Sequence, residues 1–486
     1  MAPGRRPAPR PASKGFEFVL SDSKGNPKAS DRKLIRRHVM RGKNTRGHQP
    51  PRLPDSWIHT AAAGGSQSTS TDDSDSLGHL HGLVKRCSDG SRWDNCPWFP
   101  FSIGVLDTVK FADEVDRPAR QMIASFFGTI RELMYPLDLC CEFNASETNW
   151  FGWMTNDAAY LHALLFTVSS FHDIAAGRTA QPRTNYHVFK AIRLLNERLA
   201  DSKMALADST VAVVMSMAML CEIAGDVQAA RAHSDGLRRI VELRGGLSSF
   251  SHAQQLQVKI CRVDLSMAIT QGSRPYFFQD SISWDSFFES CPVLKRLRPI
   301  PSTAMSRTRR LIKPIDRRLY CIFQDVQDFS QLVNFLFQSH QKIQPGIFQD
   351  LLTSLQYRIL LLDFGIENRF AELLRLSMLA YLTVVFFRLP QVKLQYPFLG
   401  SQLRTSCQTF KPANDEERRI FAWAMFAGFM SALDLQDEEL TMMLSEMMVP
   451  CLGSSWCEVK ASLKEVLWID GIYDGPGQEV YEKITK

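Results

Sequence analysis

The sequence predicts an all-α protein, a multi-helical body of antiparallel helix pairs preceded by a disordered basic N-terminal tail. Three observations predict it. Apolar residues recur at helical spacing through most of the 486 residues. Strand-like alternation bounded by hairpin turns is scarce. The chain is 45% hydrophobic and 22% charged, which suits a large buried core that needs no disulfide or metal staple.

Taken in chain order, residues 1–52 carry fourteen lysines and arginines against three acids, a net of +11 within a chain that holds 57 basic and 51 acidic residues in all. The remaining 434 residues are therefore net −5, and the positive balance sits in the tail. Repeated prolines in "MAPGRRPAPRPASKG" forbid the amphipathic helix of a mitochondrial transit peptide, and no apolar signal core follows. The stretch "GGSQSTSTDDSDS", Gly64 to Ser76, has too few apolar residues to offset chain entropy. Residues 1–90 thus read as a disordered basic tail and Ser/Asp-rich linker. Arg32, Lys33, Arg36, Arg37, Arg41, Lys43 and Arg46 form its separated basic clusters, candidates for nuclear localisation or for phosphate contact.

Residues 91–290 read as a first helical half. "HVFKAIRLLNERLA" places Phe189, Ile192, Leu195 and Leu199 on one face of an amphipathic helix. "DSTVAVVMSMAMLCEIAGD" is apolar nearly all round, has Asp208 and Ser209 as candidate N-caps, and stops at Gly225. Asp226 caps the next helix, which Gly245-Gly246 ends, so the two helices pair as a tight antiparallel hairpin. Residues 291–318 read as a basic, Pro-containing loop that divides the body. Residues 319–486 read as a second helical half, through "FSQLVNFLF", "FQDLLTSLQYRILLLDF", "FAELLRLSMLAYLTVVFF", "ERRIFAWAMFAGFMSALDL" and "EVKASLKEVLWI". The longest apolar run, Ser377 to Phe387, is about half of the ~20 residues a membrane span needs, so no membrane role is expected.

Chemistry-bearing motifs are few. Asp363-Phe364-Gly365 lacks the glycine-rich loop, strand lysine and His-Arg-Asp that a kinase requires. His79, His81, Cys87 and Cys96 are spaced poorly for a zinc site, so neither a metal nor any other cofactor is expected. The eleven cysteines include no Cys-x-x-Cys pair, which fits a reducing compartment, and Cys140-Cys141, Cys451 and Cys457 read as core thiols. His162, His172, His187 and His233 read as structural histidines; Asp157, Glu222 and Asp264 read as helix caps or members of buried ion pairs. With no nucleophile, metal or phosphate-cradle motif, the chain is not expected to be an enzyme.

Two regions carry a resemblance. "FEFV" at Phe16 to Val19 followed by "IRRHVMR" at Ile35 to Arg41 forms one. The block from Asn149 to Phe277 forms the other, with "NWFGWMTNDAAYLHALLFTVSSF", "FKAIRLLNERLAD", "STVAVVMSMAMLCEIAGD", "AHSDGLRRIVELRGGL" and "GSRPYF". Together they resemble the fungal-specific transcription factor domain proteins. Within the block, His233, Gly236, Leu237, Arg244, Gly245 and Gly246 are the motif residues to which the resemblance gives a structural role. Arg37 departs from the usual serine and Ser234 from a common methionine. The resemblance implies an all-α regulatory domain related to the middle homology region of zinc-cluster activators. It implies a nuclear location, and partners among the transcription machinery or other regulators. This sequence lacks the six paired cysteines of a zinc-cluster DNA-binding module, so DNA contact is expected only nonspecifically and through the tail. The alternative is a helical scaffold or adaptor that acts away from chromatin.

Overall fold

The computed structural model describes residues 103–126, 150–278, 282–297, 306–386 and 396–485. The basic tail and linker of residues 1–90, with its seven candidate cations and the His79, His81, Cys87 and Cys96 set, lies outside the described residues, as do Cys140 and Cys141. Among the described residues every regular element is helical.

In chain order the α-helices are α1 (Ile103–Thr108), α2 (Arg117–Ser125), α3 (Trp150–Asn156), α4 (Ala158–Ala175), α5 (Pro182–Leu199), α6 (Asp208–Ile223), α7 (Val227–Leu243) and α8 (Gln254–Gln271). There follow α9 (Phe287–Ser290), α10 (Pro292–Leu297), α11 (Arg307–Ile312), α12 (Arg317–Ser339), α13 (Pro345–Leu361) and α14 (Arg369–Phe386). The last five are α15 (Pro397–Thr409), α16 (Asp415–Met430), α17 (Glu438–Met447), α18 (Trp456–Val466) and α19 (Asp470–Ile484). None among the described residues is long and apolar enough to cross a membrane.

Two hydrophobic cores organise these helices. The first is gathered from α2, α4, α5, α6 and α7, with α4 packed on α5 and α6 on α7 as antiparallel pairs. The second is gathered from α12 to α19, with α14 packed on α16. Helix α8 belongs to both: Leu256, Ile260 and Val263 enter the first core, Cys261, Leu265 and Ile269 the second. That double allegiance explains why α8 shows no clean amphipathic stripe.

Local chemistry sets the boundaries. Asp226 caps α7 by accepting from Ala229 N–H at 3.0 Å, as the sequence predicts. The expectation for α6 is corrected: its N-cap is Ala207, with no side-chain cap, because the Asp208 carboxylate is turned outward to Arg244 and His252. The predicted stripe of α5 is corrected at Phe189: Leu195 is buried and Ile192 and Leu199 pack against the first core as expected. Thr184, His187, Ala191 and Leu195 face the core, while Phe189 is 48% exposed. Facing helices decide which side of α5 is covered.

In the second core, α16 starts with Asn414 accepting from Glu417 N–H, and three acids in its first turn complement the helix dipole. It is then buried from Ile420 to Phe429, where the Trp423 indole N–H donates to the Leu467 carbonyl at 2.9 Å. The rings of Tyr381 and Tyr473 stack 4.4 Å apart behind it. The basic stretch 291–318 contains α10 and α11, and α11 is pinned down: Arg309 pairs with Asp328 at 2.8 Å and Thr308 donates to Glu416 at 2.6 Å. Cys451 is half-buried, but Cys457 is exposed and is not the core thiol expected of it.

A polar cavity as the candidate functional site

The motif residues close the α6–α7 hairpin. At the end of α7, Arg244 pairs with the Asp208 carboxylate at 2.5 Å, donates to the Leu206 carbonyl at 3.2 Å, and lies 3.8 Å over the Phe250 ring. Gly245 and Gly246 follow with φ of +95° and +96°, a backbone that side chains resist and that returns the chain toward α8. Leu237 is buried in the first core, and His233 is half-buried, its pKa lowered by burial. Gly236 lies within α7 with open space where a Cβ would be.

The second motif piece, "GSRPYF", is folded back across α8. Gly272 ends α8 in the left-handed conformation, φ +69°, with the Phe398 ring against the position a Cβ would take. The returning segment is then held by Asp264. This carboxylate accepts from Tyr276 N–H at 2.8 Å and Phe277 N–H at 3.1 Å, and from the Tyr357 hydroxyl at 2.8 Å. Asp264 therefore ties the turn to α8 and, through α13, to the second core. Burial pushes its pKa up, opposed by those hydrogen bonds. It is neither a helix cap nor an ion-pair member, as the sequence reading had it. Glu222 differs too: its carboxylate takes the Ser266 and Thr270 hydroxyls at 2.6 and 2.8 Å, and burial raises its pKa. Asp157 fits the reading twice over, capping α4 through Tyr160 N–H and pairing with Arg198.

Between α7, α8 and the returning turn lies a cavity of about 350 Å³. Buried Leu237, Ile260, Val263 and Met267 line its apolar part. Its polar part holds Arg231, Arg238 and Arg274 with Asp235. Arg231 Nε donates to the Gln271 amide oxygen at 2.8 Å, and Arg238 lies 4.7 Å over the Tyr276 ring and 3.3 Å from Asp235. The Ser234 Oγ is fully buried without a hydrogen-bond partner. The ionisable groups of the lining are three arginines, the carboxylates of Asp235 and Asp264, and the Tyr276 phenol.

The structure thus brings Leu237 from the first motif piece to one cavity with Tyr276 and Phe277 from the second. It leaves Arg244, Gly245 and Gly246 to hold the hairpin. Asp264 was visible in the sequence as an acid among apolar neighbours, but its partners stand up to 93 residues away. Among the described residues no group of three His, Cys, Asp or Glu side chains could hold a metal ion. A second buried polar cluster, His162 and His187 with ring nitrogens 2.9 Å apart beside Asp113 and Lys190, lies on α4 and α5.

In comparison with known proteins, the family model described as the fungal specific transcription factor domain matches residues 133–444, well over half of the chain. No curated protein and no solved structure matches it.

Proposed function

The chain belongs to the fungal-specific transcription factor domain family, and on that premise we propose that it is a nuclear regulator of fungal transcription that works through its helical body. The family match carries the reading, and the cavity supports it: two motif pieces converge on a polar, ligand-sized space at the junction of both cores. A body whose two cores meet beside a binding cavity can pass occupancy of that cavity to a partner surface on either half. In this reading the partners are the transcription machinery or other regulators. The tail, at +11, supplies nuclear import through Arg32, Lys33, Arg36, Arg37, Arg41, Lys43 and Arg46, or nonspecific phosphate contact. The lack of paired cysteines in this sequence favours a second reading, a helical adaptor that acts away from chromatin. Rapid depletion of the protein in its own host, followed by transcript profiling before secondary effects develop, separates the two. A discrete set of transcripts should change; an unaltered profile would support the adaptor.

A further inference from the structure

We propose that the cavity between α7, α8 and the Gly272–Phe277 turn is an effector site for a small organic carboxylate with an apolar body. The proposal deepens the regulatory reading and rests on it for what the binding would control. Charge is the first argument. Three guanidinium groups line the space against two carboxylates, and one of those carboxylates is already spent. Asp264 directs its oxygens to two backbone N–H groups and a phenol, not into the cavity chemistry. Asp235 serves Arg238. Among the described residues Arg231 is held only by the neutral amide oxygen of Gln271. Arg274, exposed at the rim, has no hydrogen bond or ion pair with any described residue. Two guanidinium groups are thus left without a carboxylate partner beside a low-dielectric wall, where a planar anion with two acceptor oxygens matches their fork geometry.

The second argument is the orphaned hydroxyl. An unpaired buried polar atom costs on the order of 1–3 kcal/mol, and Ser234 Oγ is such an atom, on the cavity lining. Rotation of the Ser234 side chain about χ1 would carry it to a ligand oxygen in the cavity. Size and polarity narrow the class further. About 350 Å³ lies at the lower end of the range for small-molecule sites, and Leu237, Val263 and Met267 offer an apolar surface that a bare inorganic anion leaves uncovered.

Three probes with one ring and different heads test this on the full-length protein by isothermal titration calorimetry: sodium benzoate, benzyl alcohol and benzylamine. Benzoate should saturate with a Kd of about 1 mM or tighter, and the other two should bind at least about tenfold more weakly. Arg274→Ala, which removes the unpaired rim cation, and Ser234→Met, which fills the space, should each weaken benzoate by about tenfold or more. Circular dichroism and thermal midpoints check that both variants fold. Should Ser234→Met fail to fold, Arg274→Ala, at an exposed side chain, decides the matter alone. Benzylamine or benzyl alcohol binding as tightly as benzoate, benzoate binding undiminished in Arg274→Ala, or no saturation by about 20 mM would each overturn the site. The heat of binding does not depend on transcription. A chain that binds benzoate but leaves transcripts unaltered sinks the regulatory reading and keeps the site; the reverse result sinks the site alone.

Discussion

The two cores differ in how deeply they bury charge. In the second, Arg358 on α13 and Asp325 on α12 pair at 2.7 Å with both side chains 0% exposed. The pair is bonded further: Asp325 also accepts from the Ser286 hydroxyl at 2.6 Å and Phe287 N–H at 2.9 Å, and Arg358 donates to the Asp285 carbonyl at 3.2 Å. In the first core, Asp208–Arg244, Asp157–Arg198 and Asp113–Lys190 stand at helix ends and edges, partly open to solvent. The second core therefore adds a dry network to part-exposed pairs such as Arg309–Asp328 and Arg375–Glu372, whereas the first closes its hairpins with part-exposed pairs. The motif residues and the cavity sit on the side of the part-exposed pairs.

The largest effect that would break this contrast belongs to the dry pair. Asp325→Ala leaves the Arg358 guanidinium buried and unpaired, and should cost about 3–5 kcal/mol in denaturant unfolding. Replacing both partners by apolar residues of similar volume should restore most of that loss. A single variant within about 1 kcal/mol of the parent would mean that the network does not hold the core together.

Arg244→Ala removes three contacts at the hairpin closure and should cost about 1.5–3 kcal/mol, less than the dry pair because water can reach the Asp208 carboxylate left behind. Equal costs for Arg244→Ala and Asp325→Ala would erase the distinction between the cores.

The motif glycines sharpen the comparison within the first core. Gly246, at φ +96° and ψ −177°, occupies a backbone region nearly closed to side chains, so Gly246→Ala should cost about 1–3 kcal/mol. Gly236 is helical with open space around it, and Gly236→Ala should instead stabilise by about 0.5–1 kcal/mol. Thermal midpoints that move in the same direction for both would contradict these assignments.

The last contrast concerns pH. Burial, the His162 ring and Arg183 bring His187 down from 6.5 to about 4, and burial also lowers His162. The unfolded chain therefore takes up protons first as pH falls. The stability these rings permit is whole above about pH 6.5 and is lost progressively toward about pH 4. His187→Phe should flatten the slope of stability against pH in that window, where unfolding titrations give it directly; an unaltered slope would remove the histidine pair from the account.

These contrasts also mark what could be read from residues alone. Helices, the α6–α7 hairpin, the Gly225 and Gly245-Gly246 stops and the Asp226 cap are local facts, set within a few residues by periodicity and cap chemistry. The cap at Asp208 was misread because its real partner, Arg244, lies 36 residues away. Phe189 was misread as a core residue because helices packed against α5 bury His187 in its place. The two motif pieces were legible separately, but the cavity they share is bordered by a carboxylate whose third partner, Tyr357, lies 93 residues away.

Chromatin occupancy of the tagged full-length protein in its own host tests the central claim most directly. The account predicts enrichment at a discrete set of promoters. A protein that stays in the cytosol, with no promoter enriched above an untagged control, would contradict it.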